Sequence, residues 1–339
     1  MQTTMPPALQ QRLLAQGLTC QLLLPEGAAE TDIKEVIIYQ AGPGSGFTPH
    51  TADLYRDILD RGDTAVLMYT PWSGRFGKSG AIEELDIITR AVLDVYGHID
   101  LGIVASSGGQ KIILEAAVAG VFNGVHKCVF INGALEARWS RYSSSEEKLL
   151  LAEQNKKDAS LQLKPSSIKL ACDPDQQTSL WRRLSMKALN WLAGLTPDYA
   201  FENRGFYLSP AFLASHSAQE IYDTLREHYT ANAAVLLVYG NSKSFYWQDQ
   251  TKALEVFAKT GVNFLVVSGT EDCTVDPKQS QKTVAAIQRV SGAVRKVDLP
   301  VGHMADVEDP EGVRRALNDF FISRSVLQDN DPSLRHPHG

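Results

Sequence analysis

Three short stretches of this chain carry residue types that together could perform acyl transfer. The first is IDLGIVASSGGQKIILEAA, residues 99–117. A β-branched apolar run turns through Ser106, Ser107, Gly108 and Gly109, then continues with apolar positions at helical spacing. A sharp strand-to-helix turn of this kind is a nucleophile elbow, which holds a serine hydroxyl clear of the backbone. The elbow needs small residues two before and two after the nucleophile, because its strained backbone brings them against neighbouring elements. Centred on Ser107 these are Ala105 and Gly109; centred on Ser106 one of them is the bulkier Val104. Ser107 is therefore favoured, with Ser106 as the alternative. Taken alone, SSGG is equally well a polar turn that caps a helix.

The second stretch, VNFLVVSGTEDCTVDP, places Asp272 just beyond a buried apolar run. The third, VRKVDLPVGHMADVEDPEGV, places His303 after the next strand-like run and ahead of a helix opened near Pro310. Serine, acid and histidine thus occur in the chain order expected of such an elbow. Asp272 and His303 are 31 residues apart, room for one helix and one strand, so both can reach the carboxyl edge of a parallel sheet. Each part has a chemical role. A serine hydroxyl is a weak nucleophile until an imidazole accepts its proton, and a carboxylate fixes the imidazole tautomer and stabilises its charged form. Glu271 and Asp276 remain alternative acids.

A fourth stretch, QAGPGSG (40–46), follows an apolar run. Acyl transfer needs backbone N–H donors aimed at the developing oxyanion. One is expected from Gly108, directly after the nucleophile. The other is expected from this loop, where Pro43 has no N–H, so Gly42 is the candidate and Gly44 the next. A phosphate-binding loop is disfavoured, since neither a GKS/T ending nor GxGxxG spacing is present.

The elements that would position these groups follow an α/β rhythm. Strands are expected at 18–24, 35–40, 64–70, 99–105, 127–133, 263–269 and 295–300. Helices are expected at 50–61, 81–97, from 109, at 247–260, 278–290 and 310–324. Continuous apolar runs such as EVIIYQ fit strands buried on both faces. The fold class is α/β, a mainly parallel central sheet with helices on both faces. After residue 135 the rhythm breaks into a mostly helical, polar stretch with scattered aromatics. The expected organisation is a core of 1–135 and 241–325, a cap or lid insertion of 136–240, and a tail of 326–339. Residues 233–240 (AAVLLVYG) fit either a strand or a buried helix.

Bulk properties narrow the partners. A net charge of −6 argues against a nucleic-acid backbone or an anionic membrane. No run is long and apolar enough to span a bilayer, and the N-terminus lacks the basic start and apolar core of a signal peptide. Four cysteines, Cys20, Cys128, Cys172 and Cys273, are widely spaced without a CxxC pair. They fit reduced thiols in a cytoplasmic protein rather than a disulfide framework or a zinc site. No metal or cofactor is expected.

With these residues in hand, the chain resembles the α/β-hydrolase superfamily. QAGPGSG is similar to the HGGPG loop of proline iminopeptidases, with Gln40 and Ala41 replacing the usual His-Gly. GTEDCTVDP and GHMADVEDPE are similar to acid and histidine loops of many such enzymes. The stretch from PWSGRFGKSG through the elbow, together with FYWQDQTKALEVFAKTGVNFLVVSGTED, resembles the acyl-carrier-protein thioesterase of bacterial luminescence systems, whose elbow is also rich in alanine and serine. These resemblances cover about 35–135 and 245–325, and imply Ser107, Asp272 and His303 as catalytic residues. Val104 and Ala105 depart from the GxSxG pattern.

The expected activity is hydrolysis of an ester or thioester of a mostly apolar acyl substrate, free or carrier-bound, through an acyl-enzyme. Aromatics of the insertion (Trp181, Trp191, Tyr199, Phe201, Phe206, Tyr207, Phe212) could line an apolar pocket, or form the insertion's own small core. Two other readings stay open. A proline-iminopeptidase-like aminopeptidase needs insertion carboxylates for the substrate ammonium, for which Glu202 and Glu220 are candidates. A non-hydrolytic scaffold in natural-product metabolism would keep the fold and not the reaction.

Overall fold

The computed structural model describes residues 5–16, 18, 20–42, 49–69, 78–136, 201, 204–228 and 249–322. Its strands are β1 (Cys20–Leu23), β2 (Glu35–Gln40), β3 (Thr64–Tyr69), β4 (Asp100–Ser106), β5 (Val125–Ile131), β6 (Asn263–Gly269) and β7 (Val294–Leu299). They form one seven-stranded sheet of order β1-β3-β2-β4-β5-β6-β7. All pairings are parallel except β1 with β3, which is antiparallel. This is the α/β architecture expected from the sequence, with an antiparallel edge strand that hydropathy does not reveal.

Alternation of side chains along each strand explains the continuous apolar runs. In β2, Val36 and Ile38 enter a core that also takes Leu67, Ile103, Phe130 and Phe264. Ile37 and Tyr39 enter the opposite core with Met68, Val104, Val129 and Leu265. The first core is covered by α1 (Pro7–Ala15), α4 (Lys78–Tyr96), α5 (Gly109–Val118), the helix Thr251–Ala258 and the helix Lys278–Arg289. The second is covered by α3 (Arg56–Leu59) and the last described helix, Pro310–Ile322. β2 lies between β3 on one side and β4 on the other, so the strand order reverses at its carboxyl end, the place where open α/β sheets leave a crevice.

Several boundaries depart from expectation. The helix expected at 50–61 is two short helices, α2 (Pro49–Asp53) and α3, broken at Leu54 and Tyr55, both buried. Tyr55 packs edge-on against Tyr39 of β2, and this packing outweighs helix continuity. Residues 247–248 of the helix expected from 247 lie outside the described residues; the described helix begins at Thr251, whose N donates to Asp249 Oδ1 at 2.8 Å. Helix α1 was not expected. Its Pro opens the first turn, and Leu9 and Leu13 are buried against α4 and the sheet. AAVLLVYG lies outside the described residues. Among the described residues no helix is long and apolar enough to cross a membrane.

Of the stretch expected as an insertion, residues 136, 201 and 204–228 are described, and Trp181, Trp191 and Tyr199 lie outside them. The described part contains α6 (Arg204–Tyr207), α7 (Pro210–Ser215) and α8 (Ala218–His228). Phe201, Leu208, Ile221, Tyr222 and Leu225 form a small core joined by Met304, with Phe201 and Tyr222 ring centroids 5.8 Å apart. Tyr207 and Phe212 pack on it. These aromatics therefore serve the packing of the segment itself.

Gly102 of β4 fixes how the last helix lies. A Cβ there would come within 2.7 Å of Phe321, which is buried on the sheet. Phe321→Ala removes that contact and leaves a cavity in the second core. The expected loss is about 3–5 kcal/mol, read as a lower midpoint with unchanged slope in urea unfolding.

Candidate active site

β4 ends at Ser106 and α5 begins at Gly109, leaving Ser107 and Gly108 to make the whole turn. Ser107 takes φ 50°, a left-handed conformation that costs a non-glycine residue of order 1–3 kcal/mol. Surrounding contacts hold it there. Ser107 N donates to Ile131 O at 2.8 Å, and Gln110 N returns to Ser107 O at 3.2 Å. The turn also requires two glycines to be bare. A Cβ on Gly42 would lie 2.9 Å from Ser107 Cβ, and one on Gly109 would lie 2.7 Å from Gln40 O.

The turn aims Ser107 Oγ at His303, with 2.9 Å to Nε2. On the other side of the ring, His303 Nδ1 is 2.7 Å from Asp272 Oδ2. A carboxylate accepts, so Nδ1 carries the hydrogen and the neutral ring presents a lone pair at Nε2. Asp272 is 1% exposed and its second oxygen is also used: Oδ1 accepts from Thr274 N and Val275 N at 2.7 and 2.8 Å. Burial alone pushes the His303 pKa down. The charge and hydrogen bond of Asp272, helped by Asp306 and Glu308, outweigh burial, so it stands above the ordinary 6.5.

The alternatives resolve differently. Asp276 Oδ1 accepts from Lys278 N at 2.9 Å and so serves the start of the next helix. Glu271 is tied through its backbone, with N to Val301 O at 3.0 Å. Ser106 Oγ does not meet the imidazole. It accepts from Gly42 N at 3.2 Å and lies 3.3 Å from the hydroxyl of buried Tyr39. Gly42 and Gly108 both flank Ser107, and Gly108 is the N-cap residue of α5, where the N–H groups have no partner within the helix. Pro43 and Gly44 lie outside the described residues, as does Glu202. Glu220 is spent on a capping box with Ser217: its Oε2 accepts from Ser217 N at 2.7 Å, and Ser217 Oγ accepts from Glu220 N at 3.3 Å. Ser217 N and Ser217 Oγ, which donates to the same Oε2 at 2.8 Å, hold its carboxyl below the usual range.

Sequence reading missed the clamp around the acid and histidine loops. Tyr207 O, at the end of α6, accepts from His303 N at 2.9 Å and Met304 N at 3.1 Å. Glu308 bridges Gly302 N at 3.0 Å and Ser209 N at 2.9 Å. Thr274 Oγ1 donates to Phe206 O at 2.7 Å. The described part of the insertion is thus fastened to both loops through main-chain groups, which leave little trace in residue types. The one available signal was Glu308, an acid five residues after His303 and ahead of Asp309-Pro310.

No family model matches the chain, and no curated protein does. Solved structures do. A hydrolase from Oleispira antarctica is 12% identical, with 95% of this chain and 100% of that one covered and a TM-score of 0.55. A thermophilic esterase from Thermogutta terrifontis is 14% identical over 89% of this chain and 92% of its own, at 0.55. The 2-hydroxy-6-oxo-6-phenylhexa-2,4-dienoate hydrolase of Rhodococcus sp. strain RHA1 is 14% identical over 90% and 95%, at 0.57. With the sheet order and the elbow geometry, these likenesses establish that the chain has the fold of the α/β-hydrolase superfamily.

Proposed function

We propose that this protein is a serine hydrolase that cleaves an ester or thioester of a mostly apolar acyl substrate through an acyl-enzyme on Ser107. The observation that carries this reading is the unbroken relay from Asp272 to His303 to Ser107, at 2.7 and 2.9 Å, ending on a serine in a strained turn. His303 Nε2 accepts the Ser107 proton as Oγ attacks the acyl carbon. The new imidazolium is stabilised by Asp272. It then protonates the departing alcohol or thiol as the tetrahedral intermediate collapses. Water, deprotonated by the same imidazole, releases the acid and restores Ser107.

The oxyanion is assigned to the N–H groups of Gly108 and Gly42. Gly42 N is shared with Ser106 Oγ in the resting site at 3.2 Å, a long bond that a charged oxygen outcompetes. The esterase and the hydrolases among the folds it resembles support the reaction class. An aminopeptidase has less support, since Glu220 is committed to helix capping.

Labelling with a fluorophosphonate, followed by peptide mapping, tests the nucleophile. Ser107→Ala is expected to abolish labelling and to lower turnover of p-nitrophenyl esters by roughly five to six orders of magnitude, while Ser106→Ala still labels at Ser107. Absence of both turnover and labelling in the unsubstituted protein would falsify the proposal.

The pH dependence has a definite sign. Protonated His303 cannot accept the serine proton, so kcat/KM falls as pH drops through its raised pKa. The acid limb is expected above pH 6.5. Asp306→Asn removes one of the charges that raise it and should move the limb toward lower pH. A limb at or below 6.5 in the unsubstituted protein contradicts the electrostatic picture.

A further inference from the structure

We propose that Asn132 is a positioning residue that fixes the histidine loop against the acid loop, so that His303 and Asp272 meet at hydrogen-bond distance. The proposal rests on the triad reading above. Asn132 follows the last residue of β5, is buried, and takes φ 49°. This left-handed conformation is one that Asn, after Gly, adopts most readily. It turns the side chain across the carboxyl edge of the sheet instead of along the strand. Asn132 N donates to Val267 O at 2.9 Å, which anchors the turn to β6.

The side-chain amide then joins two loops that have no sequence relation to β5. Oδ1 accepts from Gly269 N at 2.6 Å, at the point where β6 passes into the loop of Asp272. Nδ2 donates to Gly302 O at 3.2 Å and to His303 O at 2.8 Å. The partners dictate the amide's orientation, since a backbone N–H only donates and a carbonyl only accepts. They also dictate the residue type. Aspartate has the shape but no donor for the two carbonyls, and leucine has neither function.

The consequence is complete restraint of the dipeptide that carries the imidazole. Gly302 N goes to Glu308 Oε1 and His303 N to Tyr207 O, while both carbonyls go to Asn132. Two of these four restraints come from one side chain, and that side chain also ties the dipeptide to Gly269, at the end of the strand leading to Asp272. A displacement of about 1 Å in a catalytic group can cost about 100-fold in rate. Loss of Asn132 is therefore felt at the Asp272–His303 bond and not only in overall stability.

Asn132→Gly is the discriminating variant, because glycine keeps the left-handed backbone without strain and deletes only the amide. The expected result, normalised to folded protein, is a 10- to 100-fold fall in kcat for p-nitrophenyl butyrate with KM changed less than about threefold. The His303 ring titration, followed by NMR, should shift to lower pH as its bond to Asp272 loosens. If the glycine variant does not fold, Asn132→Asp, isosteric but without the two donated bonds, makes the test through kcat alone, because its added negative charge itself raises the His303 pKa. Wild-type kcat and an unmoved His303 titration in a folded variant, with only the melting temperature reduced, would overturn the proposal and leave Asn132 a structural residue. The NMR titration needs no substrate. Failure of the unsubstituted protein to hydrolyse or label would therefore sink the hydrolase reading while still reporting on Asn132.

Discussion

The left-handed backbone at Ser107 is the constraint on which the rest of the site depends. A residue at φ 50° cannot be reached by relaxing a strand into a helix; it persists only where its surroundings leave no alternative. Here the surroundings are the parallel neighbour β5, which takes the Ser107 N–H, and two glycines close enough that a single methyl would intrude. The geometry that results points the hydroxyl toward His303 in the loop after β7. It also sends the hydroxyl of Ser106 the other way, toward Tyr39 and Gly42. Two adjacent, chemically identical residues thus take different hydrogen-bond partners.

The acid and histidine loops solve a different problem, that of holding a buried charge. A carboxylate removed from water is costly unless its lone pairs are occupied. Asp272 receives two backbone N–H groups on one oxygen and the imidazole on the other. Its loop is further pinned to the inserted segment through Thr274, and the histidine loop through Tyr207 and Glu308. Residues 204–209 are therefore part of the scaffold of the two loops. They stand beside those loops as structure, with the apolar side chains nearby turned into their own small core.

Hydropathy and small-residue spacing made the sheet, the elbow and the two loops legible. EVIIYQ and NFLVVSG read as strands because both faces are buried, and the structure gives them those bounds. Spacing favours Ser107 over Ser106 because crowding at Val104 is a property of residue size, and Ser107 is the serine whose Oγ meets His303. What stayed hidden depends on long-range pairing. The antiparallel edge strand β1, the break at Tyr55 and the buried face of α1 are each set by a neighbour distant in the chain. Asn132 falls at the end of the apolar run expected as a strand at 127–133. An Asn-Gly pair after a buried strand carries a turn signal, and nothing local tells that its amide spans two other loops.

The most direct measurement is mass spectrometry of the protein quenched in acid during turnover of p-nitrophenyl butyrate. An acyl adduct that accumulates within the first turnovers, and maps to Ser107 after digestion, is what nucleophilic attack by an activated serine predicts. An adduct on Ser106 or Cys273, or rapid hydrolysis with no covalent adduct at any quench time, would contradict it.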